Sequence, residues 1–287
     1  MPDTLPFLQV DVFTDRPFLG NPVAVVLDAD ALDADAMQRI ARWTNLSETT
    51  FVRRPDVPGA DYALRIFTPG RELPFAGHPT LGSARAVLAT GRAAARDGRL
   101  VQQCAAGLVP LRVEPGASRL AFEVPPSRSV PLADADAAGL ARALGLAGAP
   151  PPFDAIDVGP VWLTARLADA ATVLALRPDM AALDAISRRL GATGVTVHGD
   201  DGPRATGADV AVRSFAPAAG VPEDPVCGSG NACVALQRRA AGARTAYVAA
   251  QGEAIGRAGR IAVAYRGDAV EVGGETVVCV EGRLRIA

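Results

Sequence analysis

Asp61-Tyr-Ala-Leu-Arg-Ile-Phe-Thr-Pro69 and Asp209-Val-Ala-Val-Arg-Ser-Phe-Ala-Pro217 are two copies of one phrase, 148 residues apart. Asp, Ala, Arg, Phe and Pro recur at every second position, the period of a strand that turns one face to a core. Further along, Glu72-Leu-Pro-Phe-Ala-Gly-His-Pro-Thr80 aligns with Glu223-Asp-Pro-Val-Cys-Gly-Ser-Gly-Asn231 at an offset of 151, sharing Glu, Pro and Gly. Each copy leads into an Ala-rich helical stretch. A repeat of about half the chain means duplication rather than a solenoid.

Working outward, the first half reads as strands Phe7–Phe13 and Pro22–Leu27, helix Ala34–Trp43, and strands Thr49–Val52 and Tyr62–Phe67. A Gly-bearing loop, helix Thr80–Leu88 and strands to about Val124 follow. The second half reads as strands Ala155–Val158 and Val161–Leu167, helix Met180–Leu190, and strands Gly194–His198 and Val210–Phe215. A loop, helix Asn231–Arg239 and further strands complete it. Pro125-Pro-Ser-Arg-Ser-Val-Pro131 reads as the linker. The expectation is an α+β fold in two similar domains, 1–127 and 128–287, the last strand able to cross back to the first, facing each other across a cleft.

Composition narrows the chemistry. All 29 basic residues among the 287 are Arg, which removes lysine Schiff-base chemistry and the phosphate-loop lysine. The histidines are two, His78 and His198, and none of Cys104, Cys227, Cys233 and Cys279 forms a C-x-x-C pair, so no metal site is expected. A net charge of −2 gives no footprint for nucleic acid or an anionic membrane. Met1-Pro2-Asp3 begins neither a basic n-region nor a long apolar run, so a cytoplasmic protein without signal peptide or membrane span is expected. Proton chemistry is left to Asp, Glu, Cys, a lone His, Arg or Tyr.

The paired loops Ala76-Gly77-His78-Pro79 and Cys227-Gly228-Ser229-Gly230 each open a helix after a strand. The first amides of a helix lack intrahelical partners, and its dipole adds positive charge there. Both loops are therefore candidate anion pockets for a carboxylate-bearing ligand, or else simple tight turns. Pro79 suits a first turn, where its missing N–H costs nothing. Cys227-Gly-Ser-Gly-Asn-Ala is a poor dinucleotide fingerprint, because Cys233 holds the third glycine position and no strand-crossover-strand unit surrounds it.

Several blocks carry a resemblance. They are Val10-Asp-Val-Phe-Thr14 with Gly20-Asn-Pro-Val-Ala24, Ser47-Glu-Thr-Thr-Phe51, Phe67-Thr-Pro69 with Glu72–Thr80, and Glu223–Asn231. Gln251-Gly, Gly256-Arg-Ala-Gly-Arg-Ile261 and Val272-Gly-Gly274 fit the same pattern. In that order, across nearly the whole chain, they resemble the PhzF-like (phenazine biosynthesis-like) isomerase family. The resemblance implies the diaminopimelate-epimerase fold: two pseudo-symmetric domains, each a curved, mostly antiparallel sheet wrapped around a central helix. It also implies a homodimer and a cofactor-independent isomerase, with Glu48 shuttling a proton on and off carbon.

By the same resemblance Gly77, His78, Asp224, Gly228 and Ser229 line the substrate site. Read without it, Glu48 is a solvent-facing strand-start residue, His78 a turn residue and Asp224 a turn cap. Thr193 or Gly194 stands near the place equivalent to Glu48 in the second half. Cys227 is a possible reactive thiol or a small buried filler; its paired position is Ala76, which excludes two-cysteine racemisation. Cys104, Cys233, Cys279, Trp43 and Trp162 read as core, and His198 as a strand-end surface residue. The leading expectation is an isomerase of a small carboxylate. An epimerase using Cys227 and a non-catalytic metabolite-binding protein are the alternatives.

Overall fold

The computed structural model describes residues 3–202 and 208–286. The chain forms two compact units, Met1–Glu123 with Gly273–Ala287, and Val124–Val272. The first contains β1 (Thr4–Val12), β2 (Asn21–Val26), α1 (Ala34–Thr44), β3 (Thr49–Arg53), β4 (Tyr62–Phe67) and β5 (Glu72–Leu73). It continues with α2 (Gly77–Ala89), β6 (Arg99–Cys104), β7 (Gly107–Val113) and β8 (Arg119–Glu123). β1 pairs antiparallel with β2, β2 parallel with β3, and β3 antiparallel with β4. β4 then carries β5 antiparallel and β6 parallel, and β7 and β8 follow antiparallel.

α2 is the centre of this unit. Ten of its 13 residues are buried, and it touches β1, β2, β3, β4, β6 and β8, so the sheet bends around it. A helix without a polar face is stable only where it is enclosed. Gly82 allows the close approach: a Cβ there would come within 2.3 Å of Val23 Cγ1. α1 is instead amphipathic, burying Met37 and Ala41 against Leu5, Phe51 and Phe67. Asp33 starts it by accepting the Ala36 amide at 2.7 Å, and Asn45 ends it in the left-handed region.

The second unit contains β9 (Arg128–Pro131), α3 (Asp134–Ala143), β10 (Phe153–Asp157), β11 (Val161–Arg166), α4 (Ala170–Ala175) and α5 (Met180–Arg189). β12 (Gly194–Asp200), β13 (Val210–Ala216), β14 (Val221–Asp224), α6 (Gly228–Ala240), β15 (Tyr247–Gln251) and β16 (Gly259–Arg266) follow. Its pairing repeats that of the first: antiparallel β10–β11, parallel β11–β12, antiparallel β12–β13 and β13–β14, parallel β13–β15, antiparallel β15–β16. α6 stands where α2 stands in the first copy, against β11, β12 and β16. β17 (Ala269–Arg285) carries the chain from Val272 into the first unit, where it pairs antiparallel with β1.

The repeated phrase is a repeated clasp. Asp61 exchanges two hydrogen bonds with Val101, through its amide and its Oδ2, both at 2.8 Å; Asp209 does the same with Val248, also at 2.8 Å. Each aspartate thus docks the parallel strand of its unit, β6 or β15. Arg65 binds Glu72 bidentately at 2.7 Å and lies over Phe67. Arg213 binds Glu223 at 2.9 and 2.8 Å and lies over Phe215. These pairs tie β4 to β5 and β13 to β14.

Some expectations are corrected. The stretch read as a linker holds strand β9, paired with β10. α3 and α4 were not visible in the sequence. His198 is fully buried, its Nε2 at 2.9 Å from Gln237 Oε1, rather than on the surface. Trp43 is 77% exposed rather than core, whereas Trp162 is buried. Cys233 is buried, but Cys104 and Cys279 are only half-buried. Among the described residues no helix is long and apolar enough to cross a membrane.

Candidate active site

Each unit assembles its own group of polar side chains at the start of its central helix. In the first unit Glu48 immediately precedes β3, Asn21 opens β2, and His78 is the second residue of α2. Packing of α2 against β2 and β3 brings the three together. His78 Nε2 lies 3.3 Å from Glu48 Oε2, and His78 Nδ1 lies 3.3 Å from Asn21 Nδ2. The Glu48 side chain is only 15% exposed, not the solvent-facing group its strand-start position suggests.

Burial pushes the His78 pKa down to about 3, so the imidazole is neutral near pH 7. An amide nitrogen only donates, so Asn21 Nδ2 assigns Nδ1 as the acceptor and leaves the proton on Nε2. Nε2 lies 3.3 Å from Glu48 Oε2, in contact with the carboxyl but without the alignment of a hydrogen bond. Ala76 offers no side chain to cap α2, so the first-turn amides, including that of Gly77, are not engaged by a cap.

In the second unit Asp224, Cys227, Gly228 and Ser229 come together at the join of β14 and α6. Gln251 organises this loop: its Oε1 accepts from the Cys227 amide at 3.1 Å and from Asn231 Nδ2 at 2.8 Å. Its Nε2 donates to the Asp224 carbonyl at 3.0 Å. Asp224 Oδ1 accepts from the Val226 amide at 3.1 Å. Burial dominates over that bond and raises the Asp224 pKa to about 6.

Cys227 is the N-cap of α6, its Sγ accepting the Gly230 amide at 3.2 Å. Burial raises its pKa well above the usual thiol value, opposing the helix-dipole effect that its position alone suggests. The cap leaves the Gly228 and Ser229 amides to other acceptors. Ser229 Oγ accepts from Trp162 Nε1 at 2.9 Å.

Strand register identifies the counterpart of Glu48. Thr49 pairs with Phe67 and Val195 with Phe215, so the residue before each is Glu48 in one copy and Gly194 in the other. Sequence reasoning singled out Glu48, Gly77, His78, Asp224, Gly228, Ser229 and Cys227, but missed Asn21, Trp162 and Gln251. Asn21 and Gln251 stand inside quoted blocks, yet their residue types alone do not separate a site group from a structural one. Among the described residues no three His, Cys, Asp or Glu side chains converge so as to hold a metal ion.

The chain as a whole is similar to known proteins. Residues 10–282 match the family described as phenazine biosynthesis-like protein. A Schizosaccharomyces pombe protein, Antisense-enhancing sequence 1, is 38% identical over 96% of this chain and 97% of its own length. Trans-2,3-dihydro-3-hydroxyanthranilate isomerase of Pseudomonas aeruginosa is 36% identical over 96% of this chain and 98% of its own length. The crystal structure of a Bacillus anthracis PhzF-family phenazine biosynthesis protein superposes with a TM-score of 0.84 at 23% identity, covering 99% of this chain and 100% of that one.

Proposed function

Because this chain belongs to the phenazine biosynthesis-like family and is an isomerase, we propose that it moves a proton between carbons of a small carboxylate-bearing metabolite, with Glu48 as the general acid and base. The observation that carries this reading is the Glu48–His78 pair. A carboxylate that abstracts a carbon-bound proton becomes an acid that can return it to a second carbon of the same substrate. One C–H bond breaks, another forms, and the enzyme ends as it began.

Neutral His78 supports the cycle by packing its Nε2 edge 3.3 Å from the Glu48 carboxyl, restricting the carboxylate without competing for the substrate proton. Asn21 fixes its tautomer. Backbone amides at a helix start suit negative charge on a ligand, and each unit offers them: Gly77 at the start of α2, and Gly228 and Ser229 at the start of α6. Asp224, its pKa raised to about 6, is mostly ionised near pH 7 and joins the proposed substrate-binding set as a hydrogen-bond acceptor. The named Pseudomonas isomerase acts on a cyclic carboxylate, and a molecule of that class is the substrate proposed for this chain. The chemistry asks for no cofactor, and the family resemblance points to a homodimer.

An epimerase reading through Cys227 has less support, since the thiol is buried, protonated and engaged as a helix cap. The test is turnover in deuterated water, starting with trans-2,3-dihydro-3-hydroxyanthranilate and extending to a panel of small carboxylates. Label should enter a carbon position only with enzyme present, and Glu48→Gln should abolish it. Full exchange by Glu48→Gln would sink the reading. Loss of exchange in a folded Cys227→Ser protein would favour the thiol instead.

A further inference from the structure

We propose that Trp162 is a positioning residue that fixes the Ser229 hydroxyl as a hydrogen-bond donor toward a carboxylate ligand; this rests on the assignment of Ser229 to the substrate site. The indole N–H can only donate. At 2.9 Å from Ser229 Oγ it occupies one lone pair of that oxygen and forbids the hydroxyl hydrogen from pointing toward the ring. Among the described residues the hydroxyl also meets Cys227 Sγ at 3.6 Å, a weak acceptor already receiving the Gly230 amide. The hydroxyl hydrogen is therefore held away from Trp162 and only loosely by sulfur. An oxygen acceptor with negative charge would displace that contact.

The register of the duplicated strands shows how this arrangement replaces the one in the first unit. Trp162 pairs with Gly194, the counterpart of Glu48, and its ring Cζ3 lies 2.9 Å from where a Gly194 Cβ would stand. Ser229 is the second residue of α6 as His78 is of α2. In one copy the second helix residue faces a carboxylate. In the other it faces a donor-only indole, and the space for a second base is filled by that ring. The second unit thus holds a hydroxyl donor at the place where the first holds a base, and that donor selects a ligand by an oxygen acceptor rather than an amine.

The test uses the full chain carrying Trp43→Phe, so that Trp162 gives the one indole N–H signal in the nitrogen–proton NMR spectrum, with sodium anthranilate as probe. Ser229→Ala should move that signal, and anthranilate should move it in the parent but not in Ser229→Ala. Trp162→Phe, which keeps a ring against Gly194, should weaken anthranilate about five-fold, the size of one ordinary hydrogen bond. In the Ser229→Ala background the same change should have no further effect, which a purely structural role would not produce. The proposal is overturned if the indole signal is unmoved by Ser229→Ala, if anthranilate never shifts it, or if Trp162→Phe weakens binding equally with and without Ser229. Absence of label exchange with every carboxylate would instead count against the isomerase reading and leave these binding outcomes readable.

Discussion

His78 Nε2 stands 3.3 Å from Glu48 Oε2, and burial keeps the histidine neutral. A protonated imidazole would hold the carboxylate as an ion pair and make it a poor base; a neutral one only orients it. His78→Leu should therefore lower kcat by roughly 10²-fold, within the range typical of general acid–base machinery. His78→Gln, which keeps a polar group against the Glu48 carboxyl, should lose less. Steady-state kinetics on the substrate found by deuterium exchange decides it, and a His78→Leu enzyme with undiminished kcat would remove the orienting role.

The two copies of the Arg–Glu clasp predict unequal costs. Arg213 and Glu223 side chains are 6% and 8% exposed, and Arg213 Nη1 also donates to the carbonyls of Val173 and Leu176 at 3.3 and 2.9 Å. Removing Arg213 leaves a buried, uncompensated carboxylate, so Arg213→Met should destabilise by about 3–5 kcal/mol. Arg65 and Glu72 are 27% and 37% exposed, and water substitutes for either partner. Arg65→Met should cost no more than about 1 kcal/mol. Urea unfolding of both variants checks the contrast; equal costs would mean that burial does not govern the clasp.

The duplication was legible because each shared residue has a structural duty in both copies. Asp61 and Asp209 bind the start of a parallel strand, Arg65 and Arg213 bind a glutamate, and Phe67 and Phe215 lie beneath the guanidinium groups. The alternating pattern recorded those duties. Where the copies diverge, the pattern is silent. Nothing in the sequence says that Trp162 reaches Ser229, or that Asn21 reaches His78, because both contacts join residues at least 57 positions apart. His198 was misread because strand-end position suggested exposure, while α6 covers that strand and Gln237 satisfies the ring. Trp43 was misread in the opposite direction, since α1 buries Met37 and Ala41 and turns its indole outward.

Gly194 carries a sharper expectation. A Cβ there would meet the Phe215 carbonyl at 2.2 Å and the Trp162 ring at 2.9 Å, and the first of these is backbone. Gly194→Ala should destabilise by about 1–3 kcal/mol through overpacking. Gly194→Glu, the attempt to install a second base, should fail to give folded protein. Urea midpoints for the alanine variant and soluble yield for the glutamate variant test this, and a stable Gly194→Glu protein would contradict the crowding seen at this position.

Stability should fall with acid between pH 6.5 and 4, and the sign follows from three groups. Burial lowers His78 to about 3 and His198 to about 4, against 6.5 for a free histidine. In that window both bind protons when unfolded but not when folded, so acidification pulls the chain toward the unfolded state. Asp224 opposes them: raised from 3.8 to about 6, it is protonated in the folded state while ionised in the unfolded one. The three together leave the unfolded chain with about one extra proton near pH 5, a slope of about 1.4 kcal/mol per pH unit. His198→Gln should cancel most of that slope, and Asp224→Asn should roughly double it. Urea denaturation at intervals from pH 4.5 to 6.5 reads the slope directly, and a stability that rises on acidification would show that the two histidines are not held neutral by burial.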